Sequence, residues 1–497
     1  YQNLPGIRNC LFYKFGVASL LIGVHIGAMD FPMFFMDLLG NRILIAVVAS
    51  IHVFINHAFA VGAYPLVTLM EWRGYRTGSQ EWDKLAYKIT FVLFIVTTTA
   101  GALTGVGIWL TTALISPFGI GSLLRVFFWA WFTEWLVFIT EVILILIYFL
   151  TWKKWVSEKM KKVHIAVGAA LSIFSWFTMI IIVAVLGFMM RSGTWPQDQS
   201  FISAVFNPAY FPQLAFRTTY ALIIAGLLFW FLMFFFTKKG SDLRRKGVRF
   251  VAIWMLAWFP PFLASSIWYW HRVPAEMAGN ISVGLMTQRF MQWHDTLAVI
   301  MAITLGLIIL FALIGGLKPK LLPGIALVIP FIMGIWLMGH FERVREFIRK
   351  PFVIADYMYS NGVTVDELPV YQRDGILPYA TYVKNHRVTE SNKIEAGKDV
   401  FMVACSRCHT TRGLNSVVTK FTLLYGNEPW DAAAMMAFIK TMHTSRTYMP
   451  PFPGSDKEAE ALIAFLRQMQ FNHEYILDGP TGWTIRPGVN AAGTGMP

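Results

Sequence analysis

The chain has 497 residues, of which 56% are hydrophobic and only 14% charged. That balance excludes an ordinary soluble domain and fits many membrane spans. The formal charge of +14 does not point to nucleic acid, because the basic residues lie in short loops between apolar runs, which is the membrane-orientation pattern.

Nine apolar stretches follow one another, at approximately 11–29, 42–70, 88–114, 124–151, 163–190, 214–237, 249–270, 293–316 and 322–341. Each is long enough to cross a hydrocarbon core of about 30 Å, which takes roughly 20 helical residues. Strands of this composition would leave open edges in lipid, so helices are expected throughout. The first run has no small-residue cleavage site behind it and is expected to remain as a helix.

The loops set an expected orientation. One alternate set carries seventeen basic residues, including Arg73, Arg76, Lys153, Lys154, Lys161, Lys162, Lys238, Lys239, Arg244, Arg245 and Lys318; the other carries five, Arg42, Arg125, Arg191, Arg272 and Arg289. The positive-inside rule puts the rich set in the cytoplasm. With nine spans, everything after about residue 342 is then expected outside. Residues 342–390, with prolines at 351, 369 and 378, read as a polar linker on the outer face.

Ionisable groups inside spans are costly, so each is a functional candidate. His52 and His57 lie in the second run, roughly 15 and 22 Å from its outer end at 1.5 Å per residue. Five residues turn a helix by about 140°, so the two cannot serve one iron. His25, His294, His340 and Arg217 fall near outer ends of their runs, and His164 near an inner end. A b-type haem in a bundle needs one or two such ligands from different helices. The competing reading is that each histidine hydrogen-bonds across helices. Glu134 and Glu141 are nearly two turns apart, about 10 Å along one face. They are either a proton path or two protonated, hydrogen-bonded side chains. Trp129, Trp131, Trp135, Trp268 and Trp270 are expected in interface belts.

The most specific motif comes late: Cys405-Ser406-Arg407-Cys408-His409. Two thiols three apart with an adjoining histidine form the c-type haem attachment pattern, each thiol adding to a vinyl group and the histidine ligating iron. A zinc site would need a second ligand pair, and the remaining cysteine is Cys10. Met449, in Tyr448-Met449-Pro450-Pro451, is the expected sixth ligand, with His443 as its rival. Ser455 to Met469 reads as an amphipathic helix, with Leu462, Phe465 and Leu466 on one side. Ser455 and Glu458 make a capping box at its start. This region resembles a class I cytochrome c over about 391–475, leaving 476–497 as a tail.

Residues 42–352 resemble the large subunit of the cytochrome bd oxidase superfamily. The similarity rests on Arg42 to His52 with Phe54, on Thr104-Gly105 through Pro117, on Glu134 to Trp152, and on Arg349-Lys350-Pro351-Phe352. The resemblance implies that His52 falls on a haem-ligating histidine and Glu346 on a haem-ligating glutamate. Several positions depart from the family. Arg217 stands where its low-spin haem b has a histidine. The methionine partner would fall near Thr296, a second-span glutamate is Trp109, and the quinol-binding loop is reduced to about 271–292.

The expected protein is thus all-α: a polytopic helix bundle over 1–341 with a C-terminal cytochrome c domain. The leading functional reading is respiratory electron transfer between haem c, held by Cys405, Cys408, His409 and Met449, and one or more b haems. Candidates for haem b are His52, His57, His25, His294, His340 and Glu346. Haem d is less favoured because of the departures above. A cytochrome-c-fed oxygen reductase, with Glu134 on a proton path, and a non-enzymatic anchor for the cytochrome domain are the alternatives. Whether the chain is itself an oxidoreductase stays open among these readings. The expected location is a bacterial inner membrane with the cytochrome domain in the periplasm. Expected partners are lipid, periplasmic redox proteins and a second multi-span subunit, with no nucleic acid.

Overall fold

The computed structural model describes residues 34–285, 294–471, 475–478 and 484–487. They form two compact units. One comprises Arg42–Ser360 with Thr447–Pro450; the other comprises the stretch before Arg42, Asn361–Arg446 and the chain from Pro451.

The first unit is a helix bundle. In chain order it holds α1 (Asn41–Ile55), α2 (Ala63–Thr77), α3 (Gln80–Val96), α4 (Ala102–Ile115), α5 (Pro117–Thr151) and α6 (Glu158–Met190). It continues with α7 (Tyr210–Phe236), α8 (Asp242–Trp270), α9 (Ala275–Leu285), α10 (His294–Leu317) and α11 (Ile329–Ile348). Several join through π-helical turns into longer rods, so that eight helices among the described residues are long and apolar enough to cross a membrane. They coincide with eight of the nine expected runs; the run at 11–29, with His25, lies outside the described residues. Leu103, Val106 and Trp129 are among many large apolar side chains left exposed on the bundle, as a lipid-facing surface requires.

Local chemistry sets the helix ends. Gly78 closes α2 in the left-handed conformation, φ 64°, which glycine adopts without a Cβ penalty. Ser157 and Ser241 cap α6 and α8, accepting from Met160 N and Arg244 N. Helix α7 is the axis of the bundle, with Trp230, Phe229 and Leu228 almost fully buried. Gly62 lets it come close: a Cβ there would lie 2.0 Å from Ala221 O. Trp254 and Trp230 indole N–H groups donate to Leu222 O and Val248 O, binding α7 to α8.

The second unit contains α12 (Leu368–Asp374), α13 (Lys393–Ala404), α14 (Val417–Tyr425), α15 (Ala432–Ser445) and α16 (Asp456–Phe471). Its core is α13 against α16, with Phe401, Phe465, Leu462 and Trp430 buried. Gly397 permits that contact, since an added Cβ would meet Ala461 O at 1.9 Å. Residues 475–478 and 484–487 pair as an antiparallel ladder at the start of the expected tail.

Two features differ from the expected boundaries. Helix α11 runs on to Ile348, so 342–348 belongs to a bundle helix and not to a linker. Residues 361–390 are packed structure as well. Tyr371 and Leu377 are fully buried, and Ile376 N and Leu377 N donate to the Glu458 carboxylate at 2.8 and 2.9 Å. A proline-rich, polar segment reads as a loose connection because what ties it down is its own backbone amides donating to a distant carboxylate, which composition does not reveal.

Candidate functional site

The attachment motif follows α13 directly. Cys405 accepts the end of that helix as its C-cap, and Cys408 N and His409 N both return to Cys405 O. Cys405 and Cys408 are not joined in a disulfide. His409 Nδ1 donates to Asn415 O at 3.2 Å. A carbonyl can only accept, so Nδ1 carries the proton and Nε2 the lone pair, the tautomer a metal-ligating imidazole needs. Asn415 takes the left-handed conformation, φ 64°, and its amide donates to Cys408 O. The residues therefore fit a covalently attached haem, which Cys405 and Cys408 would bind and whose iron His409 would ligate.

The loop after His409 is braced from the other end of the chain. Asp37 accepts from Thr411 N at 2.6 Å and Thr411 Oγ1 at 2.7 Å. Leu414 N donates to Leu38 O, and the Phe35 ring meets Phe401 edge-on at 6.1 Å. Burial raises the Asp37 carboxyl above its ordinary range, although Thr411 and Arg412 oppose the shift. Met449 lies in Thr447–Pro450, the short stretch grouped with the bundle, where the Tyr448 and Phe347 rings are 5.7 Å apart. His443 is on α15.

Inside the bundle the histidines divide by their hydrogen bonds. His52 Nδ1 lies 3.1 Å from Thr104 Oγ1, while the Thr104 hydroxyl donates to Ala100 O at 2.6 Å. With its proton so committed, Thr104 accepts from His52 Nδ1–H, which leaves the lone pair on Nε2. Gly105 gives the ring room, since a Cβ there would lie 3.1 Å from Cε1. His52 thus has the preparation of an iron ligand.

His57 has a different setting. Its Nδ1 donates to Val53 O at 2.8 Å, and its Nε2 accepts from Arg217 Nη1 at 3.4 Å. A guanidinium stands where a metal would have to be, so this arrangement does not fit an iron ligand. Arg217 also donates to Glu342 at 3.0 Å, and Arg345 to the same carboxylate at 2.8 Å. Glu342 and Arg345 were not among the sequence candidates; an acidic residue near the end of the last apolar run was the available signal.

The remaining candidates are spread out. His340 packs edge-on to Trp336, ring centroids 4.3 Å apart, beside exposed Ile335. His294 opens α10. Glu346 pairs with Arg349 and lies 4.0 Å from Lys350 Nζ. His164 has both ring nitrogens engaged, with Glu71 Oε1 at 2.6 Å and Tyr148 O at 2.8 Å, so it is a packing residue. Glu141 is buried and accepts from Ser175 Oγ; Glu134 is half-buried two turns away.

These features define a class: a helical membrane bundle carried in one chain with a c-type cytochrome domain. Residues 392–466 match the family model described as cytochrome c oxidase, cbb3-type, subunit III. The bundle shares the fold of the bd oxidase from Geobacillus thermodenitrificans, with a TM-score of 0.54 at 15% identity, covering 64% of this chain and 89% of that one. No curated protein matches the chain. The cytochrome c domain read from the sequence is thus met by a family match, and the expected bundle by a shared fold.

Proposed function

We propose that this chain carries electrons between a haem c on its cytochrome domain and a b-type haem in its bundle, as a subunit of a respiratory complex. The observation that carries the reading is the Cys405/Cys408/His409 loop, with its histidine tautomer set for iron, on the same chain as a bd-like bundle. A bound haem supplies a one-electron iron couple.

The residues divide the work. Cys405 and Cys408 would anchor a haem, with His409, oriented by Asn415 O, as an iron ligand. Met449 would be the candidate second ligand, a soft sulfur that favours electron transfer over oxygen chemistry. In the bundle His52, held by Thr104, would offer Nε2 to a haem iron, and Glu346 is a further candidate ligand. The basic-loop bias supports a periplasmic cytochrome domain, where soluble redox proteins would exchange electrons with it. A second multi-span subunit would cover exposed apolar helix faces.

The buried Glu141–Ser175 contact, on one face with Glu134, favours a second reading, an oxygen reductase supplied with protons along α5. A pyridine haemochrome spectrum of the purified protein tests both. Haem c plus haem b is expected; an added chlorin band would favour the oxidase. Haem c alone would reject the relay and leave a membrane anchor.

A further inference from the structure

Among the described residues, the cations of the His57 cluster outnumber the carboxylates that meet them. Two guanidinium groups, Arg217 and Arg345, share the carboxylate of Glu342, while the next carboxylate, Glu346, also acts on Arg345 but is itself paired with Arg349 and close to Lys350. Arg217 is 2% exposed and Gln213, one turn earlier on the same face of α7, is fully buried. Buried charge is retained only with compensation. Yet, among the described residues, Arg217 Nε, Arg345 Nη1 and both amide atoms of Gln213 meet no hydrogen-bond partner. Water could satisfy the donors, but it could not neutralise the excess cation.

The donors also have the geometry of a binding site. Helix α7 places Gln213 and Arg217 on one face about 6 Å apart along the axis. Helix α11 brings Glu342 and Arg345 to Arg217 at the same end. Arg217 is about 10 Å inside the start of α7, reckoned at 1.5 Å per residue. Planar forks of this kind suit an oxyanion held by two or more oxygens.

We infer that Gln213, Arg217 and Arg345 hold a resident oxyanion, either the propionate carboxylate of a haem or the phosphate of a phospholipid. Glu342 positions both arginines and limits the affinity by its own negative charge. The site needs no iron at His57 and stands independently of the relay.

Native mass spectrometry of the full-length protein in detergent tests it, with phosphatidylglycerol titrated as the lipid probe. The wild type should retain one non-covalent mass after bulk lipid is stripped; protohaem identifies the carboxylate source and a single phospholipid the phosphate source. R345Q, which leaves Glu342 paired with Arg217, should weaken retention about tenfold, the loss of one charge-assisted hydrogen bond. E342Q should strengthen it. Opposite responses separate binding from misfolding, which would lower retention in both variants. No retained mass, or equal retention in all three proteins, would overturn the site. A spectrum without haem b would reject the relay while leaving the phospholipid arm to decide this one.

Discussion

Arg217 and Glu342, 125 positions apart in the chain, meet at 3.0 Å in the buried interior of the bundle. Removing one partner strands the other's charge. Glu342→Ala should therefore destabilise the bundle by about 3–5 kcal/mol, read as a lower midpoint in thermal unfolding of the detergent-solubilised protein. Glu342→Gln keeps the shape and an acceptor and should cost less; equal losses would argue that the negative charge, which both variants lack, decides the stability there.

The His52–Thr104 contact gives a sharper test of the haem b assignment. Thr104→Val keeps the side-chain volume but removes the acceptor for Nδ1–H. Loss of such a supporting partner commonly weakens a metal site by about ten- to a hundredfold. The b band should fall and the c band stay. His57→Ala, by contrast, should leave haem b content unchanged, because Arg217 occupies its Nε2.

Acid should stabilise the cytochrome unit relative to neutral pH. Burial raises the carboxyls of Asp37, Asp399 and Glu458 above their ordinary values. A raised carboxyl binds more proton in the folded state, so its contribution is fully present below the unfolded value of about 4. That contribution is lost as pH rises through the folded value. Soret-monitored melting should show stability falling upward from about pH 4. Asp399→Asn should flatten the slope, and a slope of the opposite sign would refute this account.

A network near the basic loops should matter for stability and not for haem. Fully buried Glu71 accepts from Tyr148 Oη at 2.8 Å, pairs with Lys161 Nζ at 2.7 Å and meets His164 at 2.6 Å. Glu71→Ala should cost about 3–5 kcal/mol with the haemochrome spectrum unaltered in shape. A lost b band would instead make His164 a ligand.

How much of this could be read from the sequence depends on range. The Cys405–His409 motif is contiguous, so its chemistry is legible in five letters, and the spans are legible because lipid tolerates few alternatives. Glu342 and Arg345 were not, because their meaning depends on Arg217 from another helix. His57 illustrates the same limit. Its place in a span suggested a ligand, yet a π-helical stretch, Asn56–Val61, carries it onto the guanidinium. Residues 361–390 looked like a linker because Glu458, the carboxylate that orders Ile376 and Leu377, lies 82 and 81 positions away.

The relay itself is tested most directly by stopped-flow reduction with a reduced soluble c-type cytochrome as donor. In the wild type the c band should reduce first and the b band after it. In Cys405→Ala/Cys408→Ala, which cannot attach haem c, the b band should persist and respond to dithionite but not to the donor protein. Reduction of the b band by that donor at the wild-type rate in the double variant would contradict the account.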